Sequence, residues 1–364
     1  MQLNFSAHVI AWQRVHGRHH LPWQNTRDPY RVWLSEIMLQ QTQVTTVLGY
    51  YARFLEKFPD VQALAAASLD DVFALWSGLG YYSRARNLHR CAQAVIAEHG
   101  GAFPDSSAAL QTLPGIGRST AAAIAAFCFS ERVAILDGNV KRVLTRVLGF
   151  DGDLALAAQE RALWVQATEL LPATGVEAYT QGLMDLGATL CSARAPQCLL
   201  CPVQADCVAL RVGQPERFPV KTRKLKRSRR EHLWLWLSWK DRIWLEQRPL
   251  KGVWAGLWSL PEFASQSALE EVAGSWPGEA ESLPSFTHTL THLDWTLHPL
   301  LWTLPARTRA ARVDAITRQC SANLKNGKWC SQDEALAMGL PAPLRKLLLT
   351  EFRPARLTLG DAPE

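Results

Sequence analysis

Apolar residues recur at helical spacing through the first 210 positions, and runs of strand type replace them beyond residue 230. Asp28-Pro29 reads as an N-cap followed by proline at the first helical position. Ser68-Leu-Asp-Asp71 has the form of a capping box ahead of Val72–Trp76. A helical stretch opens near Tyr82 and ends at Gly100-Gly101. Another opens at Arg118-Ser119 and runs through alanine-rich sequence to Phe129. In the second half, His232–Trp239, Arg242–Gln247 and Asp294–Trp302 predict strands, and Glu334–Leu349 predicts a helix. The expected organisation is multidomain: an all-α domain over 1–210, a linker over 211–230, an α+β domain over 231–350 and a flexible tail over 351–364.

Composition narrows the classes. The 364 residues suit two domains, and 48% hydrophobic with 20% charged excludes a wholly disordered chain. The longest apolar run, Ala121–Phe129, has nine residues, whereas a spanning helix needs about 20. The start, MQLNFSAHVIAWQR, lacks the pattern of a secretory signal. A soluble, cytoplasmic protein with no membrane contact is expected. Net charge is +6, and residues 211–230 alone hold nine Lys and Arg against one acidic residue. Such a tract fits a polyanionic partner, with a solvated linker as the plainer alternative.

Four candidate chemistries stand out. Cys191, Cys198, Cys201 and Cys207 fall within seventeen residues. Zinc and a 4Fe–4S cluster both accept four thiolates, and the outer spacings of six and five lean toward iron–sulfur. Leu113-Pro-Gly115-Ile-Gly117-Arg118-Ser119 suits a tight turn whose N–H groups and following helix N-terminus could hold a phosphate. The expected helix–hairpin–helix covers about 106–129. Asp137 is an N-cap candidate, and a carboxylate there is held ionised by N–H bonds and the helix dipole. Glu36 shares a largely apolar helix face with Val32, Trp33, Leu39 and Gln40. Desolvation there would raise its pKa and make it a general acid.

In this order, these motifs resemble the helix–hairpin–helix DNA glycosylases with an iron–sulfur loop (191–207). Glu36 in WLSEIMLQQTQV, Tyr81 in GLGYYSRARNL and Asp137 in LDGNVKRVL look like the adenine DNA glycosylases of the MutY type. Gln247-Arg-Pro249 and Gly256–Pro261 are similar to that family's MutT-like domain. The resemblance implies an enzyme that removes adenine mispaired with 8-oxoguanine or guanine in duplex DNA. It implies one 4Fe–4S cluster on the four cysteines and a monomer.

Residue by residue, the resemblance makes Glu36 the acid that protonates adenine N7. Asp137 stabilises or traps the sugar cation, and Asn139 orders both. Gln41 and Tyr81 would enter the helix near 8-oxoguanine, Trp23 and Gln181 line the adenine pocket, Gly115 and Gly117 hold phosphate, and Lys141 contacts DNA. Arg194 in the cysteine loop could meet phosphate. Related endonuclease III enzymes carry a Schiff-base lysine where this chain has Ser119, so a monofunctional glycosylase is implied. The family's Phe-Ser-His lesion loop reads Leu290-Thr291-His292 here, keeping the hydroxyl and the histidine but not the aromatic ring. No nucleotide-hydrolase box follows Arg248, so the second domain reads as a recognition module. A pyrimidine-damage glycosylase/lyase and a non-catalytic damage scanner are the competing readings.

Overall fold

The computed structural model describes residues 2–222, 226–320 and 326–351. The expected tail over 351–364 lies outside them from residue 352 onward. The chain divides into two compact units, 1–66 with 87–224 and 67–86 with 225–364.

The helices in chain order are α1 (Gln2–His16), α2 (Pro29–Leu39), α3 (Val44–Lys57), α4 (Val61–Ala66), α5 (Leu69–Trp76), α6 (Tyr82–His99), α7 (Ser107–Leu110), α8 (Arg118–Phe129), α9 (Gly138–Leu148), α10 (Ala157–Glu169), α11 (Val176–Thr189) and α12 (Val208–Arg211). Their ends follow local chemistry. Asp28 accepts from the Tyr30 N–H at 2.9 Å with Pro29 at the first helical position. Ser68 caps α5 by accepting from the Asp71 N–H at 3.1 Å. The first unit's core gathers Phe5 and Val9 of α1, Ala122 and Ala126 of α8, Val140 and Leu144 of α9, Leu163 of α10 and Leu183 and Leu186 of α11. Small alanines let α8 run through this core, as close packing requires.

The second unit holds a mixed sheet of β1 (Ser228–Trp239), β2 (Arg242–Gln247), β3 (Trp258–Ser259), β4 (Glu262–Phe263), β5 (Glu279–Ser282), β6 (Phe286–Thr289), β7 (Leu293–Leu304) and β8 (Gly327–Cys330). The path runs β3-β2-β1-β7-β5, with β4 on β1, β6 on β7 and β8 on β2. The central pair, β1 and β7, is parallel from Ser228↔Leu293 to Trp239↔Leu304. Helices α13 (Gln266–Ala273) and α14 (Ala310–Cys320) add to this core through Leu269, Val313 and Ile316. The chain closes with α15 (Gln332–Leu336) and α16 (Ala342–Glu351). Among the described residues no helix is long and apolar enough to cross a membrane.

Three expectations change. Residues 67–86 sit in the second unit rather than the first. Trp258 Nε1 donates to Asp70 at 3.2 Å, Tyr82 Oη to the Leu340 carbonyl at 2.9 Å and Arg345 Nε to Ser77 Oγ at 2.9 Å. Those partners are far apart in sequence, so no local pattern announces them. The single helix over Glu334–Leu349 is instead α15 and α16, broken at Gly339-Leu-Pro341 because proline lacks the N–H and crowds the preceding turn. The linker over 211–230 is partly built structure. Leu154 N–H donates to the Val220 carbonyl at 3.1 Å, Thr222 bonds Asp153, Phe218 is buried, and Ser228–Arg230 already belong to β1.

Candidate active site

A cavity of about 550 Å³ opens in the first unit, with Glu36 and Leu39 of α2, Trp23 and Gln24 of the preceding loop, and Gln181 and Met184 of α11 in its wall. Trp23 is buried and meets Tyr51 edge-on at 5.3 Å. The apolar face of α2 that buries Trp33, Leu34, Ile37 and Met38 carries Glu36 inward with it. Burial pushes the Glu36 carboxyl up to about 8, and the charge of nearby Asp137 adds to the rise.

Asp137 caps α9, accepting from the Val140 N–H at 2.6 Å. Here the sequence expectation needs correcting. Burial lifts Asp137 above its ordinary value, while the Val140 and Asn139 N–H groups, Arg142 and Lys141 pull the other way. Those donors favour the charged form of Asp137, and none of them serves Glu36. One carboxyl protonated beside one ionised is the division of labour that acid-assisted glycosidic cleavage needs.

The neighbours of Asp137 are held in turn. Ser119 Oγ accepts from the Leu136 N–H at 3.2 Å, one residue before Asp137. Asn139 Oδ1 accepts from Arg142 Nη2 at 2.8 Å, and Arg142 also donates to the carbonyls of Gly187 and Cys191 at 2.6 and 2.7 Å. Lys141 is paired with Glu160, so any phosphate must compete for it. Helix α11 can approach α9 only because residue 187 is glycine: a Cβ there would lie 2.6 Å from the Asn139 Cβ. Gly187→Ala is therefore expected to destabilise the protein by about 1–3 kcal/mol, as overpacking does. It should also strain the Asn139 bond to Arg142 Nη2. Urea unfolding checks this, and an unchanged midpoint would contradict the crowding.

The cysteine loop also belongs to the first unit. All four thiols line one cavity with Val143, Val147, Leu186 and Leu190. The fully buried Arg146 donates to Cys191 Sγ at 3.3 Å and to the Ser192 carbonyl at 2.7 Å. Burial pushes the Cys201 thiol up to about 12, with the charges of Cys191, Cys207 and Cys198 adding to the rise against a Val203 N–H bond. Among the described residues no three His, Cys, Asp or Glu are placed to hold a metal ion. The four thiols around one cavity are the groups available there to hold a metal centre.

At the hairpin, Gly115 has φ +80° and would bring a Cβ within 2.6 Å of the Asn87 Cβ. Gly117 starts α8 without a side-chain cap, and a Cβ there would meet nothing within 4 Å, which leaves room for an anion at the helix N-terminus. Gln41, on the turn after α2, is exposed and carries φ +59°. Held left-handed backbone in a residue other than glycine stores strain of a kind that recurs at functional sites.

In the second unit, Tyr81 is 44% exposed with φ +44°. Its Oη lies 2.8 Å from Thr291 Oγ1. Thr291 and His292 form the β6–β7 turn, closed by Leu290 N–H to the Leu293 carbonyl at 2.7 Å. Arg227 of the basic tract pins this turn by donating to the Leu290 carbonyl at 3.2 Å and to Asp294 at 2.5 Å. Sequence reasoning missed Arg18, Gln24, Asp185, Arg142 and Arg146. A carboxylate inside the apolar helix segment Leu183-Met-Asp185-Leu was a usable signal of the same kind as Glu36.

The sequence profile of the HhH-GPD superfamily base excision DNA repair proteins matches residues 34–166, and that of the NUDIX domain matches 233–350. An adenine DNA glycosylase of Buchnera aphidicola subsp. Acyrthosiphon pisum is 35% identical over 351 residues, covering 94% of this chain and 96% of that protein. The structure of a thermostable thymine-DNA glycosylase has 28% identity and a TM-score of 0.52, covering 58% of this chain and 97% of its own. A trapped endonuclease III–DNA covalent intermediate has 21% identity and a TM-score of 0.50, covering 58% of this chain and 98% of its own. The last shares the fold alone, and neither solved structure spans this whole chain. The relative matched along nearly its full length does, and the chain belongs to the adenine DNA glycosylases, enzymes of base excision repair that hydrolyse N-glycosyl bonds.

Proposed function

We propose that the protein acts inside the cell as a monomer on duplex DNA, removing adenine opposite 8-oxoguanine or guanine and leaving an abasic site. The observation that carries this reading is the Glu36–Asp137 pair, one carboxyl lifted to about 8 in a cavity wall beside a helix-capping carboxylate. Adenine flipped from the stack enters the cavity, at an unpairing cost that a mispair reduces. Glu36 delivers its proton to N7 of the base, and the C1′–N9 bond breaks as adenine leaves. Asp137 stabilises the cation left on the sugar, and water adds to C1′ and loses a proton. Trp23 and Gln181 flank the base, and Asn139 keeps Asp137 aimed.

Ser119 cannot form an imine, and its hydroxyl serves the segment leading to Asp137. The protein is therefore monofunctional, without coupled strand cleavage. Gly115 and Gly117 present hairpin N–H groups to phosphate, and Lys141 meets DNA near the abasic product. Gln41 and Tyr81 enter the helix beside 8-oxoguanine, with Thr291 and His292 reading the lesion. Cys191, Cys198, Cys201 and Cys207 would hold a 4Fe–4S cluster, which when bound ties the loop at four points and offers redox chemistry. Arg146 and Arg142 grip that loop from α9, next to Asp137.

Single-turnover excision tests the reading, with duplexes holding A opposite 8-oxoguanine, A opposite G, A opposite T and thymine glycol opposite A, each with and without hot alkali. Adenine loss opposite 8-oxoguanine, with nicks only after alkali, is expected. Thymine glycol release with spontaneous nicks would move the protein to the endonuclease III type. Thr291→Ala should lower the preference for 8-oxoguanine over guanine opposite adenine by roughly fivefold to tenfold, the worth of about one hydrogen bond. An unchanged ratio would remove Thr291 from lesion reading.

A further inference from the structure

Asp185 is fully buried on α11 and reaches no reacting group, yet it organises two residues of the cavity wall. Its Oδ1 accepts from Gln181 Nε2 at 2.8 Å, one helical turn back, and from Arg18 Nε at 2.7 Å. Its Oδ2 accepts from the Arg18 backbone N–H at 3.0 Å. Gln181 and Arg18 both line the cavity that contains Glu36.

The chemistry of these bonds fixes an orientation that the side chains alone leave free. An ionised carboxylate only accepts hydrogen bonds, whereas an amide has a donating end and an accepting end. Gln181 must turn its NH2 toward Asp185, which leaves Oε1 as the end available to a base. Arg18, which also lines the cavity, is clamped at Nε and at its backbone N–H.

We infer that Asp185 is a positioning residue that sets the polarity of the base-reading edge, so that the site takes purines with a 6-amino group and rejects 6-oxo purines. The inference rests on the reading of this cavity as the adenine pocket. A 6-amino group donates to Gln181 Oε1. A 6-oxo group would set two acceptors against each other. A site built to bond a substrate NH discriminates strongly, because the mismatched groups stay buried and unpaired. The Asp185 carboxylate thus selects the base without touching it.

The test compares single-turnover release of adenine and of hypoxanthine, each opposite 8-oxoguanine, by the full-length protein and by Asp185→Asn. Only one end of the introduced amide can accept, and where its NH2 takes the place of Oδ1 it donates to Gln181 Oε1 and turns the Gln181 amide over, at the cost of the bond from Arg18 Nε. Adenine preference should fall roughly tenfold to a hundredfold. The ratio is measured on one preparation, so it does not depend on how much of that preparation is folded. In the double variant Gln181→Glu/Asp185→Asn, the new amide donates to one Glu oxygen and leaves the other to accept from the base, and preference should return. Equal loss on both substrates, or no return in the double variant, would show that Asp185 only braces the fold and would overturn the inference. A native protein that releases no adenine would overturn the pocket reading itself, and this inference with it.

Discussion

Replacing Glu36 by Gln is expected to slow adenine release by roughly 10²–10⁴-fold, the range that a positioned general acid supplies, while affinity for the mispaired duplex is retained. The amide keeps the shape of the carboxyl but has no proton of the right acidity to give. The pH profile makes the test sharper. Burial first, and then the charge of Asp137, carries Glu36 from an ordinary 4.5 to about 8. The acid works only when protonated, so the native rate should fall as pH rises through about 8. That limb should be absent from whatever activity the variant keeps.

Stability gives an independent readout of the same group. Between 4.5 and about 8 the folded protein holds a proton on Glu36 that the unfolded chain has released. The folded state therefore loses about 1.4 kcal/mol for each pH unit climbed within that window. Glu36→Gln has no such loss, so it should melt at higher temperature than the native protein at pH 8, and the gap should close toward pH 5. A variant that binds, resists heat and does not cleave cannot be dismissed as misfolded. An alkaline limb that survives in Glu36→Gln would mean that another group supplies the proton.

The parts of the site that were legible in the sequence depend on short-range chemistry. Asp28-Pro29 and Ser68 announce their helices because a cap and its N–H lie within three residues. Glu36 could be read as desolvated because its helix face is apolar over a single turn on each side. Asp137 was legible as a cap, but the sequence understated its burial, which the packing of α9 against the rest of the core decides. Arg18 and Asp185 were not legible as a pair, being 167 residues apart. The same limit explains residues 67–86, whose capped helix was foreseen while its unit was not. The break at Gly339-Leu-Pro341 is of a different kind: it is local, and the proline is itself its signal.

Asp137→Asn separates the charge of this residue from its structural duty. Asn is as good an N-cap as Asp, and its Oδ1 can still accept from the Val140 N–H, now 2.6 Å from the carboxylate. Helix α9 should keep its start, and thermal stability at neutral pH should hold or rise, because the variant no longer carries a charge that burial disfavours. What disappears is the negative charge that the proposed mechanism sets against the sugar cation. Removing one preorganised electrostatic partner costs roughly 10²–10³-fold in rate, and loss of a full charge in a site of low polarity should reach or exceed the upper end. A second consequence follows from the coupling between the two carboxyls. Burial would still lift Glu36 in the variant, but the repulsion from Asp137 would be gone. The alkaline limb of the residual activity should therefore shift to lower pH than in the native protein. A slow enzyme with that shift would establish both the charge on Asp137 and its proximity to the acid in solution. Native-like rates would reduce Asp137 to a helix cap, and a slow enzyme with an unshifted limb would mean that the two carboxyls do not feel each other.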